Sequence, residues 1–172
     1  MKQNIRKYSL EDYQELLKFY KEIDEQYLPR LSEREGGLEA HILNILNRDG
    51  GFFLFLEYDK IEGACGYFPE DKSKKVVNFT LFSFTERYWN TWVPYKLAKH
   101  MVEQKDYLGY MNVEKFLART FYNKSAERLE KLGFRKIAEI KNDIIAGRTS
   151  YYYEADAGIV LGKFMRRMNQ IN

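Results

Sequence analysis

The stretch from Lys115 to Ile140, KFLARTFYNKSAERLEKLGFRKIAEI, decides the fold of this chain. It contains three predicted elements: a strand at 115–121, a helix at 124–132 and a strand at 134–140. Asn123 and Ser125 are residue types that favour the start of a helix. We expect Gly133 to end the helix, because helices often stop at a residue with positive φ, which costs least at glycine. The stretch therefore predicts two strands joined by a short helix.

Hydrophobic periodicity predicts further elements on both sides of this stretch. The strands are 3–8, 52–58, 61–68, 76–84 and 149–156, and the helices are 10–23, 37 to the Gly50-Gly51 pair, and 91–104. Ser9 and Asp12 are spaced as a capping box before the first helix. This order predicts a mixed α/β sheet with helices on both faces. We expect one domain at residues 1–156 and a C-terminal extension at residues 157–172.

The predicted strand 76–84 contains an irregularity. Apolar residues alternate through Val77, Phe79 and Leu81, and then shift by one position to Phe82 and Phe84. Period-two patterning changes phase only where a residue is inserted, which indicates a β-bulge near Leu81–Phe82. A strand that is buried on both faces at its end would explain the same pattern, so both interpretations stay open.

The C-terminal extension combines apolar and basic residues. Its apolar residues are Val160, Leu161, Phe164, Met165 and Met168, and its basic residues are Lys163, Arg166 and Arg167. If this segment is helical, it is a basic amphipathic helix. Docking on its own domain, or on a second subunit in a homodimer, is favoured over contact with a membrane.

Composition excludes several classes of protein. The 172 residues are 45% hydrophobic and 31% charged, as in an ordinary globular domain. The net charge is +3, and positive and negative residues are interspersed, which does not indicate a nucleic-acid-binding surface. Because Cys65 is the one cysteine, the sequence predicts neither an internal disulfide nor a metal cluster. No secretion signal or membrane span is recognisable, so we expect a cytoplasmic protein.

The order of elements, together with Ser125 and the run Leu129–Phe134 (LEKLGF), resembles the GNAT-type N-acetyltransferase superfamily over about residues 3–156. The resemblance implies a single GNAT-like acyltransferase domain with a mixed, mostly antiparallel, seven-stranded sheet flanked by four helices. It also implies acetyl-CoA as cofactor, lying between the strands at 76–84 and 115–121. The cofactor-binding residues would then include Phe82, Ser83, Phe84, Asn123 and Ser125.

The phosphate-binding loop of that superfamily is altered in this chain. Its usual form, Arg/Gln-x-x-Gly-x-Gly/Ala, corresponds here to Thr85–Pro94, which contains no glycine. Trp92 and Pro94 stand where the glycines would be. Pro94 has no N–H to offer a phosphate, although a proline is tolerated in the first turn of a helix. The resemblance assigns Arg87, Trp92 and Val93 to cofactor binding.

Both tryptophans of the chain, Trp89 and Trp92, lie in this loop. They could stack on a planar ligand such as adenine or an aromatic substrate. Alternatively they cap the end of the core and fill the space that the phosphates would occupy. We favour the second interpretation.

Acid and base candidates are few. Many members of the superfamily carry a tyrosine in the fourth helix to protonate the departing thiolate, and the corresponding residue here is Leu129. Tyr122, just before that helix, is the alternative candidate acid. Glu57, or equally Glu62, flanks the predicted hairpin and could act as a base through water.

These observations predict an N-acetyltransferase that transfers an acetyl group from acetyl-CoA to a primary amine, on a small molecule or a peptide. A backbone N–H around Phe82–Phe84 would stabilise the developing oxyanion. One alternative is a GNAT-fold protein that has lost acetyl-CoA binding and serves as a binding or assembly module. Another is an enzyme that uses a different acyl donor.

Overall fold

The structure is a computed structural model that describes residues 3–27, 29–70, 72–104, 113–143 and 147–168. The strands are β1 (Gln3–Lys7), β2 (Gly51–Glu57), β3 (Lys60–Pro69), β4 (Val76–Phe84), β5 (Lys115–Thr120), β6 (Arg135–Lys141) and β7 (Thr149–Asp156). The α-helices are α1 (Tyr13–Glu22), α2 (Gly37–Leu46), α3 (Val93–Glu103), α4 (Asn123–Lys131) and α5 (Ala157–Met168). The predicted elements are confirmed, and the C-terminal extension adds a fifth helix.

The seven strands form one sheet in the order β1-β2-β3-β4-β5-β7-β6. β4 and β5 are paired in parallel, from Val76 opposite Lys115 to Phe79 opposite Ala118. The pairs β1–β2, β2–β3, β5–β7 and β6–β7 are antiparallel. The predicted mixed, mostly antiparallel sheet is therefore confirmed.

The chain divides into two compact units, Met1–Phe68 with Thr80–His100, and Pro69–Phe79 with Met101–Asn172. In the first unit, every residue of β2 is buried, as its continuous apolar run predicts. The α1 residues Leu16 and Tyr20 are fully buried in the same core. β4 contributes residues to both units, and its last five residues, Thr80 to Phe84, belong to the first.

The second unit has a core of its own. Phe116 of β5 and Tyr153 of β7 are buried there, together with Val160 and Phe164 of α5. The C-terminal extension is thus a helix with a buried apolar face, and it contacts β7. Docking on its own domain is the outcome that this burial supports.

Two of the predicted helix signals, the capping box at Ser9 and the helix end at Gly133, are confirmed. The backbone N–H of Ser9 donates to Oδ2 of Asp12 over 2.7 Å, which completes the capping box. Gly133 has φ +98° and ends α4. The N–H groups of Gly133 and Phe134 donate to the carbonyls of Glu130 and Leu129, each over 3.0 Å, as in a Schellman motif. Among the described residues, no helix is both long and apolar enough to cross a bilayer.

Candidate functional site

β4 breaks its regular conformation at Leu81, which has φ +51° inside the strand. A left-handed residue in a strand is costly unless it is glycine, and it marks a bulge. The irregularity predicted at Leu81–Phe82 is therefore confirmed. The rings of Phe82 and Phe84 meet edge to face with centroids 5.2 Å apart, so the two residues share a face. Phe84 is buried, whereas Phe82 is 37% exposed.

Three side chains from the segment that contains α1 hold the end of β4 after the break. The hydroxyl of Tyr20 donates to the carbonyl oxygen of Leu81 over 2.7 Å. Nε2 of Gln26 donates to the carbonyl oxygen of Phe84 over 3.1 Å, and Tyr27 and Ser83 are hydrogen-bonded through their hydroxyls. The carbonyls of Leu81 and Phe84 and the side chain of Ser83 therefore have partners outside the sheet.

From the sequence, Tyr20 is only one of the apolar residues of the predicted helix 10–23, and neither Gln26 nor Tyr27 is singled out. The missed signal is chemical: a buried tyrosine hydroxyl requires a hydrogen-bond partner, and Tyr20 is completely buried. Nothing local in the sequence indicates that this partner lies 61 residues away.

Arg87 lies against two buried carboxylates. Its Nη2 is 2.6 Å from Oε1 of Glu62 and 3.0 Å from Oε2 of Glu57. The hydroxyl of Thr85 donates to the other oxygen of Glu62 over 2.6 Å. A hydrogen bond from Tyr88, more than the charge of Arg87, lowers the pKa of Glu57 below its usual value. Glu57 is therefore a weaker base than an ordinary glutamate. The guanidinium of Arg87, whose side chain is 55% exposed, pairs with both carboxylates.

The start of α3 offers few backbone donors. The carbonyl of Trp92 accepts the first helical hydrogen bond, from the N–H of Lys96 over 2.9 Å. The N–H of Val93 donates to the hydroxyl of Thr91 over 3.2 Å, and Pro94 has no N–H. Pro94 lies in the first turn of the helix, as predicted.

The two tryptophans have different environments. Nε1 of Trp89 donates to Oε1 of Gln26 over 3.2 Å, and the Trp89 ring meets Phe84 edge to face at 6.1 Å. Trp89 therefore caps the core, as we favoured from the sequence. For Trp92 that interpretation is wrong, because its side chain is 62% exposed and contacts the ring of Tyr95 at 5.8 Å. Trp92 is available for stacking on a ligand.

The remaining predicted site residues lie at the start of α4, in the second unit. Asn123 is the first residue of the helix, and Tyr122 precedes it as the N-cap. The capping role expected of Asn123 and Ser125 is not observed, because no side chain caps this helix. The N–H of Tyr122 donates instead to the hydroxyl of Thr120 over 3.1 Å. The Tyr122 side chain is 41% exposed, and its proposed role as an acid stays a prediction.

Comparison with known proteins gives matches to structures only. No protein-family model matches the sequence, and no curated protein matches it. A GNAT-family acetyltransferase from Staphylococcus aureus Mu50 is 19% identical, with a TM-score of 0.67, over 91% of this chain and 99% of the other. YncA of Salmonella typhimurium, a putative acetyltransferase solved with its cofactor acetyl-CoA, is 12% identical, with a TM-score of 0.68, over 90% and 94% of the two chains.

A third similar structure is a chimera of the spermidine N-acetyltransferase SpeG of Vibrio cholerae and hSSAT. It is 12% identical, with a TM-score of 0.71, over 94% of this chain and 99% of the other. The resemblance drawn from the LEKLGF run and the order of elements is thus matched by several structures that each cover nearly the whole chain. The chain has the fold of the GNAT-family acetyltransferases.

Proposed function

We propose that this protein is an N-acetyltransferase that transfers an acetyl group from acetyl-CoA to a primary amine. The observation that carries the proposal is the left-handed break of β4 at Leu81, within a chain of this fold. The structural neighbours include one solved with acetyl-CoA and one described as a spermidine N-acetyltransferase. They support the class of reaction, while the amine is left to experiment.

The bulged end of β4 fits the acyl end of the cofactor. When bound, acetyl-CoA supplies the activated acyl group. The backbone N–H groups of residues 82–84 are the donors that would face its carbonyl oxygen, where negative charge develops during attack by the amine. Donors of this kind are effective when they are held in place before the reaction, and Tyr20 and Gln26 hold this backbone at the carbonyls of Leu81 and Phe84. We therefore assign Phe82, Ser83 and Phe84 to the acyl group through their main chain.

The loop before α3 does not fit a pyrophosphate in the usual way. The Val93 N–H is already bonded to Thr91, Pro94 has none, and Arg87 is paired with Glu57 and Glu62. At this helix start one backbone donor is thus occupied, one is missing, and the nearby cation is paired with two carboxylates. We infer weaker binding of acetyl-CoA than a glycine-containing loop would give. The exposed ring of Trp92 is the group of this loop that we assign to contact with the donor.

The attacking amine must be neutral. For an amine with a pKa near 10.4, removing the proton at pH 7 costs about 4–5 kcal/mol. Glu57 is paired with Arg87 and has a lowered pKa, so we assign it to holding the loop rather than to accepting this proton. The small neutral fraction of the amine then limits the reaction, and the rate should rise with pH toward the pKa of the amine.

The second candidate function is a binding or assembly module without acetyl-CoA. The internal ion pairs of Arg87 and the loss of two donors at α3 favour it specifically. A third candidate, an enzyme with another acyl donor, is favoured by the exposed Trp92–Tyr95 pair.

Binding measurements on the purified chain separate these candidates. Isothermal titration with acetyl-CoA should show saturable binding at one site. A thermal-shift series with acetyl-CoA, longer acyl-CoA thioesters and free CoA should give its largest shift with acetyl-CoA, growing with concentration. A larger shift with another thioester would identify a different donor. No binding of any thioester at high micromolar concentration would overturn the proposal and favour the module.

A further inference from the structure

Tyr20 joins α1 to the left-handed residue of β4. Its side chain is completely buried, and its hydroxyl donates to the Leu81 carbonyl oxygen over 2.7 Å. Aromatic neighbours hold the ring from several sides: Phe19 at 5.1 Å, Phe52 at 6.1 Å and Tyr27 at 6.5 Å between centroids. The hydroxyl is therefore presented to Leu81 by a rigid support.

This hydrogen bond acts on a peptide group whose other end belongs to Phe82. The Leu81 carbonyl and the Phe82 N–H lie in one planar, trans unit and point in opposite directions. A partner that fixes the oxygen thus also fixes the direction of the N–H. Because Leu81 already has a conformation that side chains disfavour, φ +51°, this peptide group needs such support.

We propose that Tyr20 is the positioning residue for the Phe82 N–H, the backbone donor that faces the acyl carbonyl oxygen. The inference rests on the proposed function. In it, Tyr20 supports catalysis without contacting the acyl donor or the amine. Tyr20 acts from the opposite side of the peptide plane. It keeps the donor aligned before the reaction, which is the condition under which such donors stabilise developing charge.

Neighbouring contacts allow a substitution at Tyr20 to affect the Leu81–Phe82 peptide alone. The next carbonyl with a side-chain partner, that of Phe84, is held by Gln26. The N–H of Thr85, in the same peptide unit as that carbonyl, donates to the Glu62 carbonyl oxygen over 3.0 Å. Removal of the Tyr20 hydroxyl thus releases the Leu81–Phe82 peptide while the end of the strand stays anchored.

The donor role of Tyr20 does not depend on pH in the working range. Burial raises the pKa of Tyr20 well above its ordinary value, so the hydroxyl keeps its proton. A pH profile of the Tyr20→Phe variant should therefore parallel that of the wild type at a lower rate.

The test compares Tyr20→Phe with Tyr13→Phe. Tyr13 begins the same helix, and its hydroxyl also donates a hydrogen bond, over 2.6 Å to Glu39, but on the exposed surface. In ligand-free protein, the ¹H–¹⁵N signal of Phe82 should shift in Tyr20→Phe, with faster amide exchange, and stay in place in Tyr13→Phe. With acetyl-CoA and an amine that the wild type acetylates, Tyr20→Phe should lower kcat about tenfold or more, since loss of a whole donor costs about 10²–10³. The Kd for acetyl-CoA and the KM for the amine should change by less than about twofold.

The outcomes separate the inference from the proposed function. An unmoved Phe82 signal in Tyr20→Phe overturns the inference, whatever the activity. Equal kcat values for Tyr20→Phe and wild type also overturn it, while leaving the N-acetyltransferase intact. A wild type that acetylates no amine overturns the proposed function and, with it, the catalytic part of the role of Tyr20. A dispersed spectrum of Tyr20→Phe outside the neighbourhood of Leu81 confirms that the variant is folded.

Discussion

Nη2 of Arg87 lies 2.6 Å from Oε1 of Glu62, a carboxylate with a side chain only 5% exposed. The same nitrogen contacts the equally buried Glu57 at 3.0 Å. The guanidinium of Arg87, which we predicted from the sequence to bind the cofactor, is thus already paired with two carboxylates of the protein.

Replacement of Arg87 by Gln should lower the melting temperature, because it removes the nearest cation of two buried carboxylates. Glu62 keeps the more distant Lys60, with Nζ at 3.9 Å. Arg30→Gln is the matched control, since Arg30 pairs with a single, highly exposed Glu25 and should contribute little. Thermal unfolding followed by circular dichroism measures both. Titration with acetyl-CoA should give the same Kd for Arg87→Gln as for wild type. A markedly weaker Kd at an unchanged melting temperature would mean that Arg87 binds the cofactor and not the carboxylates.

Replacement of Pro94 by Ala should strengthen acetyl-CoA binding. The substitution restores a backbone N–H in the first turn of α3, and a hydrogen bond to a charged group contributes about 1.5–3 kcal/mol, or roughly tenfold or more in Kd. Acetyl-pantetheine, which lacks the pyrophosphate, is the control ligand and should bind both proteins equally. If Pro94→Ala improved binding of both ligands, the gain would not come from a phosphate contact.

Gly63 leaves the space that the ring of Phe84 occupies. A Cβ at position 63 would lie 2.3 Å from Cδ1 of that ring, so Gly63→Ala must displace it. We expect destabilisation of about 1–3 kcal/mol, the usual cost of overpacking, measured by urea unfolding. Gly162→Ala is the control, because nothing lies within 4 Å of its added Cβ and alanine favours its helix. Unchanged stability of Gly63→Ala would contradict the observed packing of Phe84.

Asp12 should make a pH-dependent contribution to stability. Two hydrogen bonds of 2.6 Å from Arg6 lower its pKa to about 2. Because the folded-state pKa is below the unfolded value, the contribution is complete above about pH 4 and is lost as the pH falls through 2. Asp12→Asn should cost about 2 kcal/mol at pH 7 in urea unfolding and almost nothing near pH 2. Glu25→Gln, at an exposed pair, should cost little at either pH. A pH-independent difference for Asp12→Asn would show that packing, not charge, is lost.

Local patterns predicted much of this fold. The LEKLGF run, the capping box at Ser9 and the phase shift at Leu81 depend on neighbours in the chain, and the structure contains all three features. These signals are local because helix caps and strand phases are determined by residues a few positions apart. Together with hydrophobic periodicity, they predicted the succession of strands and helices along the chain.

The candidate site was less predictable, because its contacts span the sequence. Tyr20 reaches Leu81 over 61 positions, and Arg87 pairs with carboxylates on the β2–β3 hairpin. From the sequence we predicted that both tryptophans cap the core. In the structure Trp89 is hydrogen-bonded to Gln26, whereas Trp92 is exposed. Residue type alone does not distinguish two aromatic side chains three positions apart.

An N-acetyltransferase with this fold and the break at Leu81 must release free CoA thiol as it transfers the acetyl group to an amine. The most direct measurement is the release of free thiol from acetyl-CoA by the wild-type protein, with and without a panel of primary amines that includes spermidine and a lysine peptide. We expect thiol release that depends on one or more of these amines, with an acetylated product of matching amount by mass spectrometry. Release at the background rate with every amine, from protein that is folded and saturated with acetyl-CoA, would contradict it.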